Sequence, residues 1–151
     1  MARLTFSGGI HPYDGKDLSK DKPIREVLPK GDLVYPLSQH IGAPAKPIVN
    51  KGDSVLVGQK IAEAGGFVSA PIYATVSGTV KAIEPRRVVT GDHVRSIVIQ
   101  TDEKYEEIEW PPVKPFDEMT REEKIEKIRE AGIVGMGGAG FPTHVKLSPK
   151  E

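Results

Sequence analysis

The 151-residue chain contains no cysteine, so it can supply no disulfide, no thiolate nucleophile and no ligands for an iron–sulfur cluster. It carries no net charge, because 21 basic side chains are balanced by 21 acidic ones. That argues against the broad positive field with which proteins collect nucleic acid or an anionic membrane surface. Its four histidines, His11, His40, His93 and His144, are scattered without zinc-ligand spacing, and the nearby carboxylates are equally dispersed, so no metal site is expected. No stretch approaches the ~20 apolar residues of a membrane span. The start, Met1-Ala2-Arg3-Leu4-Thr5-Phe6, lacks the apolar run of a signal peptide. A soluble, cytosolic chain with no nucleic-acid partner is the expectation.

The charge that is present is unevenly spread. Residues 1–100 carry 13 basic and 9 acidic side chains, whereas residues 101–151 carry 8 and 12. A net +4 followed by a net −4 points to two differently built segments. Residues 1–32 read as a short strand over 3–7 and then a polar, turn-rich arm packing on the β-rich region after it. Pro23 and Pro29 argue against a long helix there.

From 33 to 101 the texture changes to short β-rich runs cut by Gly, Pro and Asp. Strands are predicted over 33–37, 46–49, 54–57, 60–64, 66–69, 74–76, 79–83 and 96–100. Such spacing indicates a small barrel or sandwich. Thr79-Val80-Lys81-Ala82-Ile83 alternates like a strand with one buried face. Gly52-Asp53-Ser54-Val55 recurs as Gly91-Asp92-His93-Val94. The repeat is either a pseudo-twofold relation between two halves or chance reuse of a common turn.

Residues 102–116 form an acidic, proline-rich linker, with Trp110 placed to stack on a cofactor or, as the favoured reading, to pin the linker to a neighbouring surface. In Thr120-Arg121-Glu122-Glu123 a capping box opens a helix, with Thr120 as cap and Glu123 as its partner. Ile125, Ile128 and Ala131 give it one narrow apolar stripe, and Gly132 suits the left-handed residue after it. So narrow a stripe needs a surface to dock on.

The helix leads into Gly135-Met136-Gly137-Gly138-Ala139-Gly140-Phe141-Pro142-Thr143-His144-Val145-Lys146. Four glycines in six residues fit neither a core helix nor a strand. Such a loop can turn several N–H groups toward an anion, with Lys146 as countercharge. It can equally be a plain flexible connection.

Two resemblances attach to these residues. The run from Val49-Asn50-Lys51-Gly52-Asp53-Ser54-Val55 to Ala64, with Ser69-Ala70-Pro71 and Val76-Ser77-Gly78-Thr79-Val80 after it, resembles the biotinyl/lipoyl-like barrel-sandwich hybrid over roughly residues 45–100. Carrier domains of that family need a lysine at the hairpin tip. Here the tip is Gly65-Gly66 and no lysine lies between Ile61 and Val80. An acyl-carrier role is therefore disfavoured, and Lys60 and Lys81 read as solvated strand-end residues.

The second resemblance covers nearly the whole chain. Gly8-Gly9-Ile10-His11-Pro12, Pro36-Leu37-Ser38-Gln39-His40-Ile41-Gly42-Ala43-Pro44, Val68-Ser69-Ala70-Pro71 and the block from Ala131 to Leu147 all resemble the N-terminal part of the RnfC subunit of the Rnf electron-transport complex. The last block also resembles the flavin loop of the NADH-oxidising subunit of respiratory complex I. The implied fold is mainly β: a barrel-sandwich hybrid (lipoyl/biotinyl-like) over 33–101, the linker, one helix, and over 117–151 the truncated start of an α/β flavin/NADH-binding domain.

The resemblance also implies a peripheral subunit on the cytoplasmic face of the membrane. Its partners would be the other Rnf subunits, in an ion-translocating ferredoxin:NAD oxidoreductase. FMN and NADH would bind the full-length subunit, and two 4Fe-4S clusters its cysteine-bearing remainder. By this analogy Gly135, Gly137, Gly138 and Gly140 approach the flavin phosphate and ribityl chain, and Lys146 pairs with the phosphate. His144 replaces a small residue of the complex I loop and is assigned a surface or helix-start position. The chain stops before the cysteine motifs, so it is expected to be an inactive docking module with no cofactor bound and the glycine loop loose. The corresponding subunit of the sodium-translocating NADH:quinone reductase is the alternative relative.

Overall fold

The computed structural model describes Gly8, Ile10 and residues 12–149. The strand expected over 3–7 lies outside the described residues, as does His11. Two antiparallel sheets enclose one core. The first has the order β1-β7-β6-β3, from β1 (Asp32–Pro36), β7 (His93–Thr101), β6 (Gly78–Arg87) and β3 (Ser54–Val55). The second has the order β2-β4-β5, from β2 (Lys46–Pro47), β4 (Lys60–Glu63) and β5 (Ile72–Tyr73). The fold is mainly β, a barrel-sandwich hybrid carrying a helical appendage.

Strand β7 is central, pairing with β1 on one side and β6 on the other. Ile97 and Ile99 point into the core, where they meet Val55 and Val80 of the same sheet and Ile61, Ala62 and Ile72 of the other. Ile61, Val80, Ile97 and Ile99 are fully buried, and each contributes roughly 1.5–3 kcal/mol relative to an exposed side chain.

Simple alternation predicts Val80 and Ala82 on the core face and Ile83 on the other. Instead the β6–β7 register shifts between Val80 and Ala82. The bulge re-aims the strand, so Val80 and Ile83 both pack against the core cluster. Strand β6 also runs past Ile83 to Arg87, through Pro85 paired with Arg95. At that point β6 has β7 alone as a neighbour, so the missing proline N–H faces an open edge.

Two expected strands are absent. Residues 66–68 form bends and Ser69 irregular backbone rather than a strand, because the Val68 carbonyl and Ser69 hydroxyl bond across to Ala43 instead of along a ladder. The strand placed at 74–76 sits earlier, at Ile72–Tyr73, while Ala74 and Val76 fill the core from irregular backbone. The Gly-Asp repeat does mark two similar turns, with φ +97° at Gly52 and +92° at Gly91. The strands they open, however, meet opposite ends of β6: Ser54 pairs with Thr79, and His93 with Arg87. The repeat is shared turn chemistry and not a twofold relation between halves.

After β7 the chain stays on the module. Val57 and Glu107 form a parallel bridge, and Tyr105 packs on the core while its hydroxyl donates to the Pro29 carbonyl at 2.7 Å. The Trp110 ring lies over Gly58, where a Cβ would fall 2.5 Å from Cη2. Its indole N–H donates to Glu107 at 2.8 Å. The tryptophan pins the linker while staying 61% exposed, and with Ile108, Pro111 and Val113 it lines a groove of about 820 Å³ beside the helix.

Helix α1 (Arg121–Glu130) has both bonds of the capping box, Glu123 N–H to Thr120 Oγ1 and Thr120 N–H to the Glu123 carboxylate. The bond from the Thr120 N–H first, and the Lys114 ammonium second, hold the Glu123 carboxyl below its ordinary range. No residue of α1 is buried. It is tied to the module at its last residue, where Glu130 pairs with Lys60 at 2.5 Å and its carbonyl accepts from the Tyr73 hydroxyl. Lys60 is therefore a bridging residue, not a freely solvated one, and the bond to Glu130 raises its pKa. Among the described residues no helix is long and apolar enough to cross a membrane.

Candidate functional site at the glycine loop

The glycine loop takes a defined path. Val134 and Pro142 form an antiparallel bridge, closed by Gly135 N–H to Phe141 O (2.9 Å) and Thr143 N–H to Ile133 O (3.0 Å). Gly140 N–H turns back to Gly137 O at 3.1 Å. The loop tip then docks on the β module through Ile41 N–H to Ala139 O, at 2.9 Å. In the structure these bonds give the loop a seat on the β module. The turn after β1 supplies that seat through Ile41.

The four glycines named from sequence divide into two kinds. Gly140 has φ +54°, and a Cβ there would lie 2.8 Å from Gln39 O and 3.3 Å from His40 Cα. Gly135 spends its amide on Phe141. These two serve the loop's own shape and seat. Gly137 and Gly138 are different. Neither has a φ in the left-handed region, and a Cβ on either would meet nothing within 4 Å. Both are exposed, and the amides of Met136, Gly137, Gly138 and Ala139 donate to no acceptor among the described residues. Among the described residues nothing packs where a side chain on either would stand. Such bare backbone leaves room for a group to approach it closely.

Lys146 ends the short helix α2 (Thr143–Lys146) and is exposed, with its ammonium 5.9 Å from the centre of the Phe141 ring. The loop and Lys146 thus stand on one continuous segment, with the lysine unpaired by any carboxylate among the described residues. The residues suit a phosphate: free N–H groups, open space above them and a nearby cation in sequence. No group of three His, Cys, Asp or Glu able to hold a metal occurs among the described residues.

His144 sits near the helix start, as expected, but not at the surface. It is 6% exposed, with Nε2 3.4 Å from Phe67 O and Nδ1 buried without a partner. Sequence reasoning also missed His40, which is 8% exposed and bonded through both ring nitrogens. The available signal was its place three residues before Ala43-Pro44, on the first of two Ala-Pro turns; the ring accepts from Ala70 of the second.

The chain is similar to known proteins over most of its length. A family model described as the RnfC barrel sandwich hybrid domain matches residues 4–104. The C subunit of the Na(+)-translocating ferredoxin:NAD(+) oxidoreductase complex of Acetobacterium woodii is 45% identical over 147 residues, covering 95% of this chain and 33% of that protein. The C subunit of the proton-translocating ferredoxin:NAD(+) oxidoreductase complex of Clostridium ljungdahlii is 48% identical over 147 residues, 96% of this chain and 32% of its own. The C subunit of the ion-translocating oxidoreductase complex of Vibrio cholerae is 44% identical over 144 residues, 94% of this chain and 19% of its own. The chain thus spans about a third of the first two relatives and about a fifth of the third.

Proposed function

Because the chain belongs to the RnfC barrel sandwich hybrid domain family, we propose that it is the N-terminal segment of the peripheral subunit of a membrane-bound, ion-translocating ferredoxin:NAD oxidoreductase. Its work is electron transport, its partners are the other subunits of that complex, and its place is the cytoplasmic face of the membrane. The named relatives, each called a subunit of such a complex, support this reading. NADH binding and the two 4Fe-4S clusters belong to the longer subunit, since this chain has no cysteine to hold a cluster.

Within that subunit the segment 135–146 binds the phosphate end of FMN. The observation that carries this is the run of unengaged amides from Met136 to Ala139 around two glycines that the fold itself does not require. Gly137 and Gly138 let the backbone approach the phosphate, and the Lys146 ammonium balances its charge. Gly135 and Gly140 hold the loop in shape. When bound, FMN supplies the exchange between two-electron hydride chemistry and single-electron transfer. The β module is a docking and support module, not a carrier, because Gly65-Gly66 stands where a carrier lysine belongs.

The test is a titration of the chain followed through its backbone amide resonances. FMN is expected to move the signals of Met136 to Ala139, and riboflavin, which lacks the phosphate, is expected to leave them. Equal responses to both, or to neither, would remove the phosphate assignment.

A further inference from the structure

We propose that the β module builds the seat that shapes the glycine loop, and that His40 is the positioning residue that makes this seat rigid. The proposal rests on the flavin reading only for what the loop binds, not for how the loop is held.

Two turns make the seat: residues 38–43 after β1 and residues 65–71 between β4 and β5. Ala43 N–H bonds Val68 O at 3.0 Å. The wholly buried Ser69 hydroxyl donates to Ala43 O and accepts from Gly65 N–H, both at 2.8 Å. His40 completes the tie. Ala70 N–H can only donate, so Nε2, 3.1 Å away, accepts. The imidazole proton is then on Nδ1, which donates to Ile41 O at 3.1 Å. One neutral ring, itself 8% exposed, therefore satisfies an amide of the second turn and a carbonyl of the first.

Four contacts of the glycine segment fall on these two turns, and Gly132 also meets the Tyr73 ring just beyond them. Gly132, at φ +66°, comes so close that a Cβ would sit 2.7 Å from Pro71 O. Ala139 accepts from Ile41, the residue whose carbonyl His40 holds. Gly140 lies against Gln39 and His40, and His144 reaches Phe67 O. The bland account of His40 is a satisfied core histidine. It is satisfied, but the groups it satisfies belong to the residues that carry the loop. Remove the ring, and Ala70 N–H and Ile41 C=O lose their partners and the two turns lose their register.

The experiment compares the parent chain with His40→Ala, His40→Gln and the core variant Val80→Ala, which touches neither turn. Amide hydrogen exchange is read at Ile41 and at Ile99 in the central strand. His40→Ala is expected to speed Ile41 exchange at least tenfold relative to Ile99. His40→Gln, whose amide can donate and accept, recovers most of that ratio, and Val80→Ala speeds both sites together. Parallel acceleration of Ile41 and Ile99 in His40→Ala, or a His40→Gln variant no better than alanine, overturns the proposal. Should His40→Ala not fold, Ser69→Ala, which severs the same two turns, must raise the ratio; no rise there overturns it as well. FMN titration of the same samples keeps the two readings apart. If FMN moves no loop amide of the parent chain, the flavin reading fails, and the exchange ratio still decides the seat.

Discussion

Replacing Gly140 and Gly138 one at a time by alanine should separate the two roles of the loop. At Gly140 an alanine must adopt φ +54°, which costs an L-residue about 1–2 kcal/mol. Its Cβ would also fall 2.8 Å from Gln39 O, a backbone atom with no side-chain freedom to yield. Together these put the local penalty at about 2–3 kcal/mol. That penalty falls on loop docking, because Gly140 lies outside both sheets. Since each 1.4 kcal/mol is tenfold, the Ile41 amide, which donates to Ala139 O, should exchange roughly 30-fold faster or more. At Gly138 the φ is not left-handed and nothing lies within 4 Å of a Cβ. Alanine there restricts the unfolded chain and should leave stability unchanged or raise it by about 0.5 kcal/mol. What Gly138→Ala should lose is the response of the loop amides to FMN. The reasoning is refuted if Gly140→Ala leaves Ile41 exchange at the parent rate, or if Gly138→Ala melts lower while still answering FMN.

Three further outcomes follow from the fold. Ile61→Ala, at a fully buried position between the sheets, should cost about 2–5 kcal/mol in denaturant unfolding; a cost below about 1 kcal/mol would mean the core can collapse around the cavity. Thr120→Ala removes the side-chain half of the capping box and should cost α1 about 1 kcal/mol, visible as faster exchange in the first turn of α1 with β7 unchanged. The junction of α1 with the module should loosen in alkali. The Lys60 pKa is raised, chiefly by its bond to Glu130, and that of Tyr73 is raised, chiefly by burial. A raised folded pKa means the stabilisation is complete below the ordinary values of 10.5 and 10.0 and is lost as pH climbs through the folded ones. The Lys60 pair is partly exposed, so its share is below about 1 kcal/mol. Above about pH 10 the amides of α1 should lose protection before those of β7, and Lys60→Met should remove part of that step; a parent chain with no alkaline step contradicts the assignment.

How much of this was legible beforehand depended on how local each cause is. The capping box of α1 and the left-handed Gly132 after it are each set by residues close together in the chain, and both were readable. The alternation at 79–83 was readable as a strand. The bulge at Lys81 was not, because it is a property of the β6–β7 pairing. Residues 66–69 look strand-like in composition, yet the Ser69 hydroxyl and the Val68 carbonyl find their partner at Ala43, on the turn after β1. Gly140 and Gly137 look alike in a glycine-rich string. Only the approach of Gln39 and His40 tells which one is packed and which one is open.

The tip of the barrel-sandwich module brings these points together. A carrier hairpin must leave its tip free, because the lysine there has to swing between active sites. Here a Cβ at Gly65 would lie 2.0 Å from Pro44 O, and Ser69 and His40 bind the same turn from within. Gly65 is thus packed against the neighbouring turn, while Gly66 and Phe67 stay exposed. It is on this turn and the one after β1 that Gly132, Ala139, Gly140 and His144 come to rest. On the proposed reading, the absent lysine and the docked glycine loop go together: the end of the fold that a carrier leaves free here serves to hold the loop.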